Sequence, residues 1–420
     1  MKVVVVGAGS TYTPELVEGI ARRPELGVSD LTLVDIDAAR LDVVGGLAQR
    51  MLAAAGYGGV VTLSTDVTEA VAGAQFVLLQ LRVGGQAARL VDETLPLDYG
   101  CIGQETTGPG GFAKALRTVP VVLDIAEEVR RSAAPGAWII DFTNPVGIVT
   151  RALLDDGHRA VGLCNVAIGF QRRLAALLGV EWQRVRVDQV GLNHLSWIRA
   201  VHVDGRDVLP DLLDRFGQEI ADEIEVPLAA LRTLRVIPSY YLHYFYCTDS
   251  ELEHERTGPK RAEEVQQIES ALLEMYRDPA LTTKPALLEE RGGAFYSEAA
   301  ASLMSSLHAG TGDIQVVDVR NGTTLAGLEP DDVVEVPCRV DNDGAHPLPQ
   351  VPLAPELLGL VQATTAYEKL TIQAALSGDR DTALRALLAN PLVRQWEVAE
   401  PLLDALLAAN RHHLPRFFPG

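Results

Sequence analysis

The chain has little cysteine, little positive charge and no long apolar run, and each shortage removes a class of protein. Four cysteines (Cys101, Cys164, Cys247, Cys338) in 420 residues, none in C-x-x-C spacing, argue against a disulfide framework and against zinc-finger ligation. A reduced, cytoplasmic setting is expected. Lys and Arg total 36 against 56 Asp and Glu, a formal net charge of −20. That balance disfavours nucleic acid and anionic membranes as partners, so an anionic substrate would have to meet its own local arginines. No apolar stretch is long enough to span a bilayer, and no signal-peptide pattern is expected because the first apolar run already reads as a strand. Repeats and low-complexity linkers are also missing. With 47% apolar residues, the length suffices for two domains with large cores.

What is present begins at the first residue. Met1–Gly9 reads MKVVVVGAG, followed by Ser10-Thr11 and a helical segment through Arg22. A second strand, Leu31–Asp35, closes as Val34-Asp35-Ile36-Asp37. This is the βαβ pattern of a nucleotide-binding unit. Gly7 permits the tight turn, Gly9 lets backbone approach a pyrophosphate, and the helix start offers N–H groups to the anion. Asp35 is placed to accept from a ribose diol, as NAD requires. The third glycine of G-x-G-x-x-G is replaced by Tyr12, so strand–helix packing must differ there. A glycine turn in some other α/β protein is the plainer alternative.

Strand-like runs recur at Val60–Leu63, Phe76–Leu81, Ala137–Phe142 and Ala160–Cys164, separated by helical segments such as Ala38–Ala55 and Phe112–Ser132. The alternation predicts a doubly wound parallel sheet over residues 1–170. Val185–Val190 and Trp197–Val203 look antiparallel, with Asp204-Gly205 as a turn. Helices dominate later, at Pro259–Tyr276 and from Pro355 onward, while Asp341–Pro352 reads as a loop. Residues 171–420 are expected to form an α+β domain docked onto the sheet. The apolar C-terminal helices suggest a homodimer or homotetramer.

Five places carry candidate chemistry. Cys164 and His194 each end a predicted strand and would together suit a divalent metal, although thirty residues is no metal-finger spacing and by itself favours a buried thiol plus a hydrogen-bonded histidine. The glycine-rich stretch Gly100–Gly111, with Glu105 in its middle, reads as a substrate-facing loop at the carboxyl edge of the sheet, or else a mobile surface loop. Asn144-Pro145 reads as a helix start, Asn144 capping, at the same edge. Tyr240–Tyr246 is rich in tyrosine, by default core or interface; a tyrosine becomes a general base only where a cation lowers its pKa. Arg82, Arg89 and Arg261 stand in acidic surroundings, where a salt-bridged face competes with a phosphate site.

Taken in order, VVGAGS, LVDID, RVGG, ARLVDE, GQETTGPGG, FTNP, GLCN, GLNH, IPSYYLHYFY, KRAEEV and LANPLV resemble glycoside hydrolase family 4, the NAD- and manganese-dependent glycosidases. That family departs from two-carboxylate glycoside hydrolysis. The resemblance spans nearly the whole chain. It implies a Rossmann-like NAD-binding domain (1–170) followed by an α+β domain of lactate/malate dehydrogenase-like type (171–420) that holds substrate, metal and oligomer contacts. It implies Cys164 and His194 as ligands of Mn²⁺ or another divalent metal, and Tyr241 as base, with Tyr240 and Tyr244 still open. Glu105 looks like the carboxylate that raises the tyrosine's basicity. Arg89, Asn144 and Asn165 resemble substrate positions, and Arg261 is expected at a 6-phosphate. Gly7, Gly9, Ser10, Asp35, Arg40 and Arg82 are grouped as NAD-binding. Asn165, where α-specific members carry Asp, favours 6-phospho-β-glucosides, so the expected partner is a phosphorylated disaccharide or glucoside.

The implied chemistry oxidises carbon 3, removes the carbon 2 proton, expels the aglycone, adds water and returns the hydride. Alternatives are an NAD-dependent 2-hydroxy-acid dehydrogenase, a family 4 enzyme for α-linked or unphosphorylated sugars, and a non-catalytic NAD sensor.

Overall fold

The computed structural model describes residues 1–293 and 295–419. Its strands are β1 (Lys2–Val6), β2 (Asp30–Val34), β3 (Val60–Ser64), β4 (Phe76–Leu79), β5 (Trp138–Asp141), β6 (Ala160–Gly162), β7 (Val185–Leu192), β8 (Leu195–Val203), β9 (Arg206–Asp207), β10 (Ile237–Pro238), β11 (Asp313–Arg320), β12 (Val333–Asp341) and β13 (Gly344–Pro347). β1 is KVVVV with all four valines buried, the mark of a strand covered by helices on both faces. β1 to β6 are parallel in the order β3-β2-β1-β4-β5-β6, the doubly wound order of dinucleotide-binding sheets. Such sheets bind ligands beyond the strands' carboxyl ends, where β1 and β4 diverge.

The second half of the chain extends this sheet instead of docking onto it. β11 pairs antiparallel with β6, β12 with β11, β7 with β12, β8 with β7 and β10 with β8. The insertion of the β11–β12 hairpin between β6 and β7 was not anticipated. Its strands read locally as ordinary apolar alternation, and nothing nearby in sequence names their partners. Asp341–Pro352 is also not wholly a loop, since Asp341 pairs with Gly344 and β13 runs back along β12. The turn at Asp204-Gly205 forms as expected between β8 and β9.

Two local expectations need correction. Asn144 does not cap the following helix; Val146–Asp155 begins one residue later, with Pro145 in the capping position and no side-chain cap. The last four residues of Gly100–Gly111 are not loop but the first turn of a helix, Gly108–Ser132, with Pro109 in its opening turn. Its glycines serve close approach: a Cβ on Gly110 would lie 2.4 Å from the Gln104 carbonyl oxygen and 2.5 Å from that of Asp92. The stretch is therefore largely buried, not a mobile surface loop.

The C-terminal helices Pro355–Ser377, Arg380–Ala389 and Trp396–Ala409 pack into a second core with Phe112 and Leu116 of the Gly108–Ser132 helix. Leu402, Leu403 and Leu406 are buried there, each contributing roughly 1.5–3 kcal/mol. Their apolar surface is spent inside the chain and no longer argues for a homo-oligomer.

Candidate active site

Cys164 lies between β6 and the helix Val166–Leu178, with Asn165 in the capping position after it. β7 and β8 are joined by a two-residue turn, Asn193-His194, because Leu192 pairs with Leu195. His194 has φ 62°, a left-handed conformation at a turn position that favours glycine or asparagine. An imidazole held there at some cost in backbone energy marks a site under functional demand.

The tautomer of His194 follows from its neighbours. Gln104 Oε1 accepts from the Thr106 and Thr107 amides and, at 2.8 Å, from the Thr106 hydroxyl. With its proton given to Gln104, Thr106 Oγ1 accepts from His194 Nδ1 at 3.0 Å. Nδ1 therefore carries the hydrogen and Nε2 keeps its lone pair, the state of a metal-binding imidazole oriented by an outer partner. Burial, and then the Lys114 charge, push the His194 pKa down to about 3, so the ring is neutral throughout the working range.

Tyr241 lies flat on His194, ring centroids 3.6 Å apart and planes 12° from parallel. Tyr240 and Tyr244 contact Tyr241 at 4.9 and 6.5 Å, so of the three tyrosines it is Tyr241 that covers the imidazole. Burial, and then neighbouring Tyr240 and Cys164, hold the Tyr241 phenol well above its ordinary 10. The Cys164 thiol is pushed up to about 12 by burial and by the Glu335 charge, and the Tyr296 hydroxyl lies 3.9 Å from its sulfur. Thiol and phenol thus both stay protonated unless a cation arrives, and Tyr241 links them: it lies in electrostatic reach of Cys164 and stacks on the His194 imidazole.

Glu105 sits beside this group in a cage of positive charge. Arg82 grips it with both terminal nitrogens, Lys114 Nζ reaches it at 2.6 Å and Arg89 Nε at 3.5 Å. Burial alone would raise its pKa, but these cations outweigh burial and hold it well below the usual carboxylate range. Lys114 is 2% exposed, and its own pKa falls to about 7, chiefly through burial. Arg89 also donates to Glu93 at 2.7 Å. Asn144 Oδ1 is buried with no protein partner, an acceptor poised for a ligand donor. Asn165 Oδ1 lies 3.9 Å from Cys164 Sγ.

The nucleotide turn gathers Gly7, Gly9, Ser10, Asp35 and Arg40. Gly7 has φ 87°, and a Cβ there would meet the Gln80 and Leu81 backbone at 2.9 Å. Gly9 N–H donates to Asp35 Oδ2 at 2.8 Å, Arg40 Nε donates to the Gly9 carbonyl at 3.1 Å, and Arg291 Nη2 lies 3.4 Å from Ser10 Oγ. Tyr12, the missing third glycine, turns inward and donates to the Gly293 carbonyl at 2.5 Å. Arg82 is drawn toward Glu105, with Glu269 in electrostatic reach. The structure does not bring the Arg261 guanidinium into either group: it is bound to Glu264 at 3.0 Å and to the Glu290 carbonyl at 2.8 Å on the surface, although neighbouring Ala262 N–H donates to Glu93.

Sequence reading missed Thr106, Gln104, Lys114, Glu269, Arg291, Tyr296 and Glu335. A lysine six residues into an apolar, glycine-rich helix start was the one visible signal, since an apolar face rarely buries an unpaired ammonium. Among the described residues, groups of three metal-competent side chains occur only elsewhere. At Glu127, Asp156 and His158 the Arg130 guanidinium already fills the cation's place. At Glu225, His243 and Glu251 the ligand atoms lie within 4.8 Å of one another, and the carboxylates approach the two ring nitrogens at 3.9 and 3.7 Å. A cavity of about 30 Å³ behind His194, bordered by Thr106, Asn193 and Glu368, has room for about one water and not for a sugar.

Comparison with known proteins bears on this geometry. The family model described as "Family 4 glycosyl hydrolase" matches residues 2–180, and "Family 4 glycosyl hydrolase C-terminal domain" matches residues 189–393. The Bacillus subtilis (strain 168) protein named "Probable 6-phospho-beta-glucosidase" is 43% identical over 100% of this chain and 98% of its own length. The "6-phospho-beta-glucosidase" of Escherichia coli (strain K12) is 37% identical over 99% of this chain and 97% of its own. The 6-phospho-beta glucosidase structure from Thermotoga maritima with manganese, NAD+ and glucose-6-phosphate superposes with TM-score 0.91 at 35% identity, covering 98% of this chain and 99% of that one. A lactate dehydrogenase from a Medee basin deep-sea metagenome library, 14% identical with TM-score 0.57 over 89% of this chain, shows the shared dehydrogenase-like fold alone. The chain belongs to the family 4 glycosyl hydrolases.

Proposed function

We propose that this chain hydrolyses 6-phospho-β-glucosides with the help of NAD and a divalent metal, manganese foremost. The observation that carries the reading is the stack of Tyr241 on a neutral His194, with Tyr241 also in electrostatic reach of a buried thiol that needs a cation to ionise. Relatives named 6-phospho-β-glucosidase at 37 and 43% identity, and a superposable relative solved with manganese, NAD+ and glucose-6-phosphate, support the substrate class and both cofactors.

The residues fit these groups. Gly7 and Gly9 leave bare backbone at the turn, since a Cβ on Gly9 would lie 2.8 Å from the Asp35 carboxylate, and Asp35 is the acceptor suited to a ribose diol. Cys164 and His194 would hold the metal. When bound, NAD supplies reversible hydride removal at carbon 3 and the metal supplies Lewis acidity at the neighbouring oxygens. Tyr241, relieved of its raised pKa by the cation, takes the carbon 2 proton. Glu105, fixed as a carboxylate by Arg82, Lys114 and Arg89, keeps that phenolate basic. Asn144 Oδ1 would accept from a sugar hydroxyl, and Arg89, held by Glu93 and Glu105, is the second substrate contact of this reading. Asn165 offers an amide where an α-selective site would place an acid, which favours the β anomer.

A 6-phosphate held by Arg261 would require that side chain to leave Glu264 and Glu290. No helix among the described residues is long and apolar enough to cross a membrane, and the free cysteines suit a cytoplasmic location. The test is p-nitrophenol release from p-nitrophenyl β-D-glucoside 6-phosphate with NAD and Mn²⁺, then with each omitted. Release that needs both, with no net NADH, supports the reading. Release without either, or hydroxy-acid-linked NADH alone, defeats it.

A further inference from the structure

The strands that lead to Cys164 and His194, β6 and β7, are not neighbours. β11 and β12 lie between them, and the pairing forms one row across the sheet: Gly162 of β6 faces Asp318, Asp318 faces Glu335, Glu335 faces Gly191 of β7, and Gly191 faces Ser196 of β8. Two carboxylates thus stand side by side between the glycines that lead into the two metal-ligand positions. Both are buried. Gly162 can only be glycine here, since a Cβ would lie 2.2 Å from Thr150 Oγ1 and 2.8 Å from Asp318 Cβ.

Glu335 is tied to the His194 hairpin by three hydrogen bonds. Gln189 Nε2 at 2.7 Å and Ser196 Oγ at 2.9 Å donate to Oε1, and Asn193 Nδ2 at 3.0 Å donates to Oε2. The donors come from both strands and from the first turn residue, so one carboxylate braces the turn that holds His194 in its left-handed conformation. The brace is a carboxylate whose three donors favour its charged form against burial, and it stands between the strands that lead to His194 and Cys164.

We infer that Glu335 is a positioning residue for the metal site: it clamps the Asn193-His194 turn and adds the negative charge that favours a divalent cation between His194 and Cys164. The inference rests on the metal-dependent reading above. The test is Mn²⁺ binding, followed by the free-Mn²⁺ electron paramagnetic resonance signal, in wild type and Glu335→Gln, with NAD affinity measured in parallel. Glu335→Gln keeps the shape and removes the charge, and should weaken Mn²⁺ binding on the order of 10–100-fold with NAD affinity unchanged. Wild-type Mn²⁺ affinity in the variant overturns the inference. So does a parallel fall of Mn²⁺ and NAD affinity, which would report general loosening. If Glu335→Gln does not fold, Ser196→Ala removes one of the three donors and should still weaken Mn²⁺ selectively; unchanged Mn²⁺ affinity there also overturns it. A wild-type protein that binds no Mn²⁺ at all overturns the metal-dependent reading itself, and the inference falls with it.

Discussion

Replacing Asp92 by Asn tests how the scaffold holds the charged cage around Glu105. Asp92 lies on the helix Gly85–Asp98, which carries Arg89, and Arg117 lies on Gly108–Ser132, which carries Lys114. The two side chains, 0% and 1% exposed, form a two-pronged pair at 2.9 and 2.7 Å, and Arg117 also donates to Asn410 Oδ1 at 2.7 Å. The pair therefore locks the spacing between the two helices and ties both to the chain's end. Asp92→Asn keeps the volume but sets an amide against a guanidinium that has no access to water. Leaving one member of a buried pair uncompensated costs about 3–5 kcal/mol. At roughly 2 °C per kcal/mol for a chain this large, melting should fall on the order of 6–10 °C. Burial lifts the Asp92 pKa to about 6 against the pull of Arg117, so the measurement belongs at pH 7.5, where the wild-type carboxylate is ionised. Calorimetry and urea midpoints read the loss. The double variant Asp92→Leu/Arg117→Met should recover most of it, because two matched apolar side chains need no desolvation. A single-variant loss within about 1 kcal/mol would mean that the pair behaves as a solvated surface pair and would refute the argument.

Tyr241→Phe should abolish glycoside hydrolysis while NAD affinity, read by fluorescence quenching, stays at the wild-type level; retained hydrolysis would pass the base to Tyr240 or Tyr244. Cys164→Ser should cost Mn²⁺ affinity and hydrolysis together in a folded protein, as circular dichroism and metal titration would show. Gly9→Ala places a methyl 2.8 Å from the Asp35 carboxylate and 3.2 Å from Arg40 Cβ, and should raise the NAD Kd by on the order of 10-fold or more, with Mn²⁺ binding spared. Lys114 has a folded pKa of about 7 against an ordinary 10.5, so above pH 7 the unfolded chain binds the extra proton. Its contribution makes stability rise with pH, by at most about 1.4 kcal/mol per unit, and urea midpoints between about pH 7 and pH 8.5 should show that rise in wild type and lose it in Lys114→Met.

The nucleotide half was legible because its signals are local. Valine runs, a glycine turn and an aspartate at the end of the second strand are contiguous in sequence and become contiguous in space. Cys164 and His194 could be named from their strand ends, but not how their rings and charges are disposed. The tautomer of His194 depends on Thr106 and Gln104, almost ninety residues away, and on which oxygen of that pair is already committed. Asn144 was read as a cap from residue type and as a substrate position from the resemblance; the helix starts beyond it and its Oδ1 is buried without a hydrogen-bond partner among the described residues. Arg261 shows the reverse failure, since a guanidinium at a helix start suits phosphate and suits Glu264 equally well until the fold puts one of them in reach.

The placement of β11 and β12 between β6 and β7 also sets when the site comes into being during synthesis. Cys164 and His194 leave the ribosome thirty residues apart, yet the hairpin that must separate and align their strands begins about 120 residues after His194. At translation rates of about 5–20 residues per second that interval is on the order of 10 s, during which β6 and β7 carry unpaired edges. A nascent chain shorter than about 340 residues can hold a complete β1–β6 nucleotide sheet and still lack the proposed metal site, so on that reading cofactor binding is acquired in two steps, dinucleotide before metal.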